Sequence, residues 1–364
     1  MVGGRRVGTT GWSAPSGPDA ARRRGLADAT GLTVLGGCAV WSLITATARA
    51  GRPEGMLLAV LAVVAGYACG RIGAALVPVA ASAVAGLGGL CLALVSPHGV
   101  PAPDTVAPLG RAGATAALLA LSAGALCCAA WSARRRALRI AWHVPAAGTV
   151  VLAAVIGSGA GAAACAGVVL YSLAAARARR RSVGLAGLGL ATAAVAALGV
   201  ALAKNALPSV LATPLEDRLS PHRVLLWRDA LRLAESEPAL GVGPGRFADF
   251  SPAPAQSPLP DGKPHAAVLQ VGAEQGVVGV VLLAAAFCWL LYALWRSARP
   301  TQVVLAAGAA LTAVAAMASV GNALSFTTVT AGVGLLAGIA TAEPLADGPP
   351  HDVAAPADVR DGQR

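Results

Sequence analysis

The chain has 364 residues, of which 56% are hydrophobic and only 12% charged, with a mean hydropathy of +0.67. That balance excludes an ordinary soluble domain and fits a chain whose solvent is a lipid bilayer. The net charge of +11 does not indicate DNA or RNA binding, because the arginines stand in short clusters between apolar runs, where they set membrane topology.

Residues 1–27 are rich in Gly, Ser, Pro and Arg and lack an apolar core followed by a cleavage site, so they read as a disordered cytoplasmic tail, not a signal peptide. A hydrocarbon core about 30 Å thick needs roughly 20 helical residues per span. Seven runs qualify within an N-terminal bundle, 28–203: 31–49, 55–70, 74–95, 113–131, 141–157, 160–176 and 183–203. Three more fall within 266–342, at 266–294, 302–319 and 324–341, before a second polar tail at 343–364. Arginine clusters on both sides of 141–176 favour a hairpin turning at Gly157-Ser158-Gly159 over one long helix. The predicted fold is therefore all-α and polytopic, with about ten transmembrane helices and both termini cytoplasmic. That topology puts 18 basic residues inside and 10 outside, seven of the ten in one long loop. The seven cysteines all lie in apolar segments without a CxxC pair, and read as small core residues, not disulfides or metal ligands.

The long loop, 204–265, faces the extracytoplasmic side in this topology. Within it, His222 to Glu235 places Val224, Trp227, Leu231 and Ala234 at helical spacing, which predicts an amphipathic helix lying along the membrane surface. Pro238 and the run Gly241-Val242-Gly243-Pro244-Gly245 end it in a tight turn, and a Pro-rich stretch returns to the bilayer. The glycine turn lacks the Lys-Ser/Thr of a phosphate loop, so it reads as a rigid turn that aims the loop helix.

Arg223 is the first candidate for an anionic substrate group, with Arg218 and Arg228 as helpers, because a planar guanidinium bonds phosphate oxygens in pairs. Against this, residues 204–264 carry seven basic and seven acidic side chains, so the arginines equally suit lipid headgroups or neighbouring acids. Trp227 and His222 are further candidates for substrate contact. His265, with an ordinary pKa of about 6.5, suits a general base at the membrane surface, or simply caps the span that follows. His98, His143 and His351 lack convergent partners and read as structural. Glu274 stands nine residues after His265, so in a straight helix it lies about 13 Å further along and on nearly the opposite face. It reads as structural or as part of an acceptor channel, with Gly272, Gly276 and Gly279 allowing close helix contact around it.

Two motifs together resemble a known family. The first, "HRVLLWRDALRLAESEPALGVGPGRF" (222–247), reads R-x-x-x-W, a short helix, then P-x-x-G-x-G-x-G-x-F; the second, "HAAVLQVGAEQGVVG" (265–279), opens a span. In this order, inside a late outward loop, they resemble the O-antigen ligase and O-antigen polymerase family of bacterial membrane glycosyltransferases. The resemblance implies metal-independent, cofactor-free transfer of a glycan from an undecaprenyl-diphosphate carrier to a hydroxyl or amine on a glycan, lipid or protein acceptor, at the outer face of the cytoplasmic membrane. It implies a diphosphate contact for Arg223 and acceptor activation for His265. Two positions depart from the family pattern: Ala266 stands where Asn usually follows the histidine, and "GSGAG" (157–161) where a Ser-Arg pair often opens an earlier span. The alternatives to an enzyme are a transporter or flippase of lipid-linked saccharide, and an inactive cell-envelope scaffold.

Overall fold

The computed structural model of the protein describes residues 18–99, 108–178, 180–208, 221–251 and 264–343. Among these the regular elements are all helical: α1 (Pro18–Arg49), α2 (Glu54–Leu76), α3 (Pro78–Gly99), α4 (Pro108–Ser132), α5 (Arg136–Val155), α6 (Gly159–Ala174) and α7 (Arg181–Ala203), then α8 (Pro221–Ser236), α9 (Phe247–Phe250), α10 (Ala267–Arg296), α11 (Thr301–Val320) and α12 (Thr327–Thr341). Nine of them, α1 to α7 with α10 and α11, are long and apolar enough to cross a membrane, and the 15-residue α12 is a shorter apolar helix. The fold is thus all-α and polytopic, as the hydropathy pattern predicts. The tenth apolar run splits into a 3-10 turn at Ala323–Ser325 and α12.

Burial decides which helices form the hub. In α4 94% of the apolar window is enclosed, in α11 72%, but in α2 only 11%. The alanine-rich α4 and α11 therefore supply most of the core, while perimeter residues such as Leu58 and Leu61 of α2 present apolar surface to lipid. Four cysteines are buried and three, Cys69, Cys91 and Cys288, are exposed on the perimeter, so not all are core residues.

The short α12 is held by backbone contact with α2. "GYACG" (66–70) and "GLLAG" (334–338) interlock: a Cβ on Gly66 would lie 2.2 Å from the Ala331 carbonyl oxygen, and one on Gly334 2.1 Å from that of Val63. Gly70 and Gly338 repeat the contact one turn on, at 2.2 Å from the Leu335 and Tyr67 carbonyl oxygens, so the two helices run in the same direction. Between helices in lipid, where apolar burial offers little, such close approach is the main source of association. Gly334→Leu is expected to destabilise the protein by at least about 2 kcal/mol through overpacking. Gly187→Leu, at an exposed glycine with open space around it, should leave thermal unfolding in detergent unchanged.

Two boundaries differ from the sequence expectation. α1 begins at Pro18, so residues 18–27 are helical where a disordered tail is expected. α2 continues through Arg71 to Leu76, because Arg71 is ion-paired with Asp28 of α1 beside Tyr67, which leaves no isolated charge to end the span. The break comes instead at Val77, whose helical conformation is disfavoured by the following Pro78. The hairpin at Gly157-Ser158-Gly159 forms as expected: Gly157 has φ +82° and the Ser158 hydroxyl accepts from Gly161 N–H at 3.1 Å, capping α6. Residues 344–364 of the expected C-terminal tail lie outside the described residues.

Alternation of the helices gives the bundle two ends. One carries the α2–α3, α4–α5, α6–α7 and α10–α11 connections with their arginines, some of them built in: Arg181 donates to Ser297 O at 2.7 Å, and buried Arg299 to Ala74 O at 3.0 Å. Burial lowers the Arg299 guanidinium from its ordinary pKa, with a weaker opposing effect from Cys128. The other end carries the long loop.

Candidate functional site

At the loop end, α8 sets Val224, Leu226, Trp227 and Ala230 inward, all buried. Leu226, Trp227 and Ala230 share an apolar cluster with Leu202 and Ala203 of α7 and with Ala266, Leu269 and Ala273 at the start of α10. The amphipathic helix forms where expected, and its apolar face packs on other helices. Trp227 is 1% exposed and its Nε1 donates to Pro264 O at 2.7 Å, so it has no surface to offer a substrate. The indole ties α8 to the backbone immediately before His265.

His265 is half-buried and has φ +50°, in the left-handed region. Arg223 stands one turn before Trp227 on α8, so the two share a face, and its Nη1 reaches Val320 O at 3.5 Å, the open carbonyl end of α11. Arg228 donates to Asn205 Oδ1 at 2.6 Å, just past α7. Beneath them, buried Asp229 pairs with Arg232 and accepts from the Ser251 hydroxyl at 2.7 Å, which fixes the end of the described loop. Arg218 and the His222 side chain lie outside the described residues.

The deepest feature is a break in α10. Gly276, nine residues and about 14 Å along the helix from Ala267, has φ +69° and ψ −166°, a conformation almost confined to glycine. Backbone groups on both sides of the break are met from outside the helix. Val242 N–H donates to Ala273 O at 2.9 Å, Gly243 N–H to Glu274 O at 3.0 Å, and the Trp41 indole to Gln275 O at 3.0 Å, while Val277 N–H donates to Pro238 O at 2.9 Å. Irregular backbone within a span is stable only when protein satisfies it in this way. The glycine turn of the loop therefore plugs the broken span. Gly241, at φ +64°, lies so close that a Cβ there would be 2.4 Å from the Glu274 carbonyl carbon.

The α1–α2 turn holds this plug from the other side. Arg52 N–H donates to Pro244 O at 2.7 Å, Arg246 Nη1 to Arg49 O at 2.6 Å, and Arg49 is ion-paired with Glu237. A Cβ on Gly243 would lie 2.8 Å from that of Arg49, and one on Gly245 3.4 Å from that of Arg52. Sequence reasoning missed Trp41, Arg49 and Arg52; two arginines in a short outward turn were the available signal.

Glu274 is 7% exposed, with Gln270 Nε2 at 3.4 Å from its Oε1. It lies in the turn before the break, and its backbone oxygen is one of the plugged carbonyls. The structure thus brings together α8 with Arg223, the Trp227 tether, His265 and the plugged break. Among the described residues, no three His, Cys, Asp or Glu side chains converge as a metal site.

This architecture defines a multi-pass membrane protein whose candidate site is built by one loop folded onto a broken span. Residues 155–284 match the family model described as O-antigen ligase, 130 of the 364 residues. The matched segment, from the end of α5 through α8, the glycine turn and the break in α10, is similar to that family over about a third of the chain. A comparison with curated proteins found no match.

Proposed function

We propose that the protein is a membrane glycosyltransferase that moves a glycan from an undecaprenyl-diphosphate carrier to a hydroxyl or amine acceptor at the extracytoplasmic face. The observation that carries this reading is the Trp227–Pro264 bond, which locks the arginine-bearing helix to His265 within the matched segment. In this mechanism the acceptor oxygen forms its bond to the anomeric carbon as the bond to the diphosphate breaks. His265 takes the acceptor proton, and Arg223, with Arg218 or Arg228, meets the charge developing on the departing diphosphate. Positioning and charge stabilisation by the chain's own side chains suffice for these steps, without a resident metal or cofactor.

In cells lacking the gene, the lipid-linked glycan is expected to accumulate, and wild type to clear it. Arg223→Ala should clear it at least about 100-fold more slowly, and Arg223→Lys should recover only part of that rate, because lysine keeps the charge but not the paired donors. No accumulation in the deletion strain would remove the reading's main support.

The broken α10 favours a second reading, a transporter of lipid-linked saccharide, since such proteins use discontinuous helices near mid-membrane. Against it, the carbonyls of Ala273, Glu274 and Gln275 at the break already accept hydrogen bonds from the loop and from Trp41. An inactive scaffold would give neither transport nor transfer with the purified protein.

A further inference from the structure

At the end of the bundle opposite the loop, the α4–α5 turn borders a cavity of about 610 Å³. Its walls carry Arg134, Arg136, Arg139, His143 and the Trp131 indole. The Arg139 guanidinium lies over the Trp131 ring, 4.9 Å from its centroid, and the His143 ring meets the same indole edge-on at 5.5 Å. Trp131 is itself fixed by donating Nε1–H to Ser172 Oγ at 2.9 Å. His143 Nδ1 lies 2.8 Å from Arg139 O; a carbonyl only accepts, so Nδ1 carries the proton. Arg139 Nε and His143 Nε2 are both buried with no hydrogen-bond partner among the described residues. His143, expected to be merely structural, is thus one wall of a concentrated cationic site.

Among the described residues, nothing near the cavity balances this charge. Arg134, Arg136 and Arg139 form no ion pair among the described residues. No wall residue is acidic, and the sequence holds no Asp or Glu between Asp104 and Glu216. The rest of the wall is apolar, Ile140 and Leu173, and Ile140 is 57% exposed on the lipid-facing perimeter. A cationic floor with an apolar side open to lipid fits a ligand with both characters.

We propose that this cavity binds the phosphate headgroup of an anionic phospholipid, with an acyl chain running past Ile140 and Leu173. The guanidiniums, Arg139 Nε among their donors, hold the phosphate oxygens. The headgroup ammonium of a zwitterionic lipid is repelled by the same arginines, so the site discriminates on headgroup charge.

The test uses the full chain in neutral detergent, with lipid binding read by native mass spectrometry. Phosphatidylglycerol is expected to bind wild type at least about tenfold more tightly than phosphatidylcholine. Arg136→Gln with Arg139→Gln should abolish that preference. Arg177→Gln with Arg180→Gln, which removes the same charge from exposed positions at the same end of the bundle outside the cavity, should preserve it. Equal binding of the two lipids by wild type, an equal loss in both double variants, or inorganic phosphate binding as tightly as phosphatidylglycerol would each overturn the proposal. If the cavity double variant does not fold, the exposed Arg134→Gln decides: a reduced preference supports the site and an unchanged one overturns it.

Discussion

Replacing His265 by Ala, Asn or Gly is expected to lower glycan transfer by the purified protein at least about 100-fold in all three cases, with membrane insertion and thermal unfolding close to wild type. Three substitutions are needed because the structure offers a competing reason for the histidine. Its φ of +50° lies in the left-handed region, which Asn, Asp and His enter more readily than most side chains. Asn and Gly suit that backbone at least as well as His, so either should preserve activity if the residue only shapes the entrance to α10. Neither can accept a proton as an imidazole does. Uniform loss therefore assigns the chemistry to the ring, whereas transfer within about threefold of wild type in His265→Asn or His265→Gly would make it a backbone residue. Ala266, buried beside it, places no side-chain amide at the position where the related pattern has Asn. The imidazole would then act without help from that position.

The membrane class, most span positions and the Gly157 hairpin were legible because each follows from local composition: twenty apolar residues or a glycine pair carry their meaning within a short window. The loop helix was legible for the same reason, since Val224 and Trp227 repeat at helical spacing. What that spacing does not specify is the partner. Trp227 reads equally as a surface aromatic or a buried anchor until Pro264, 37 residues away, is seen to accept its indole proton. The pairing of α2 with α12 joins glycines more than 250 residues apart, each an ordinary small residue in its own window. Arg71 looked like the end of a span because its compensating Asp28 belongs to another helix. The arginines around the α4–α5 turn were read as topology markers, and a charge count does not show that they surround a cavity containing Trp131 and His143.

Gly276 is the sharpest case, and its substitution carries the second large effect. In the sequence it is one glycine among several in an apolar span, where close helix packing is the natural reading. In the structure it ends one helical segment and starts another, and a Cβ there would lie 2.5 Å from Pro238 O and 2.6 Å from Ala239 O. Gly276→Ala must therefore take up a strained backbone and push the glycine turn away, at a cost of about 3 kcal/mol or more. Straightening α10 instead would return Val277 N–H to Ala273 O, and Val242 and Gly243 would lose their acceptors. Either outcome releases the loop from the span. The expected result is faster hydrogen exchange at Val242 and Gly243, a lower unfolding temperature, and loss of transfer even though residue 276 is eleven positions from His265. Gly272→Ala is the matched control: it lies in the same helix one turn before the break, its new Cβ would meet only ordinary contacts at 3.5 and 3.7 Å, and alanine favours helix. If Gly276→Ala behaves like Gly272→Ala in all three measurements, the break is not what positions the loop. If only Gly276→Ala releases the turn and silences transfer, the broken span and its plug act as one unit that presents α8 and His265 to the substrate.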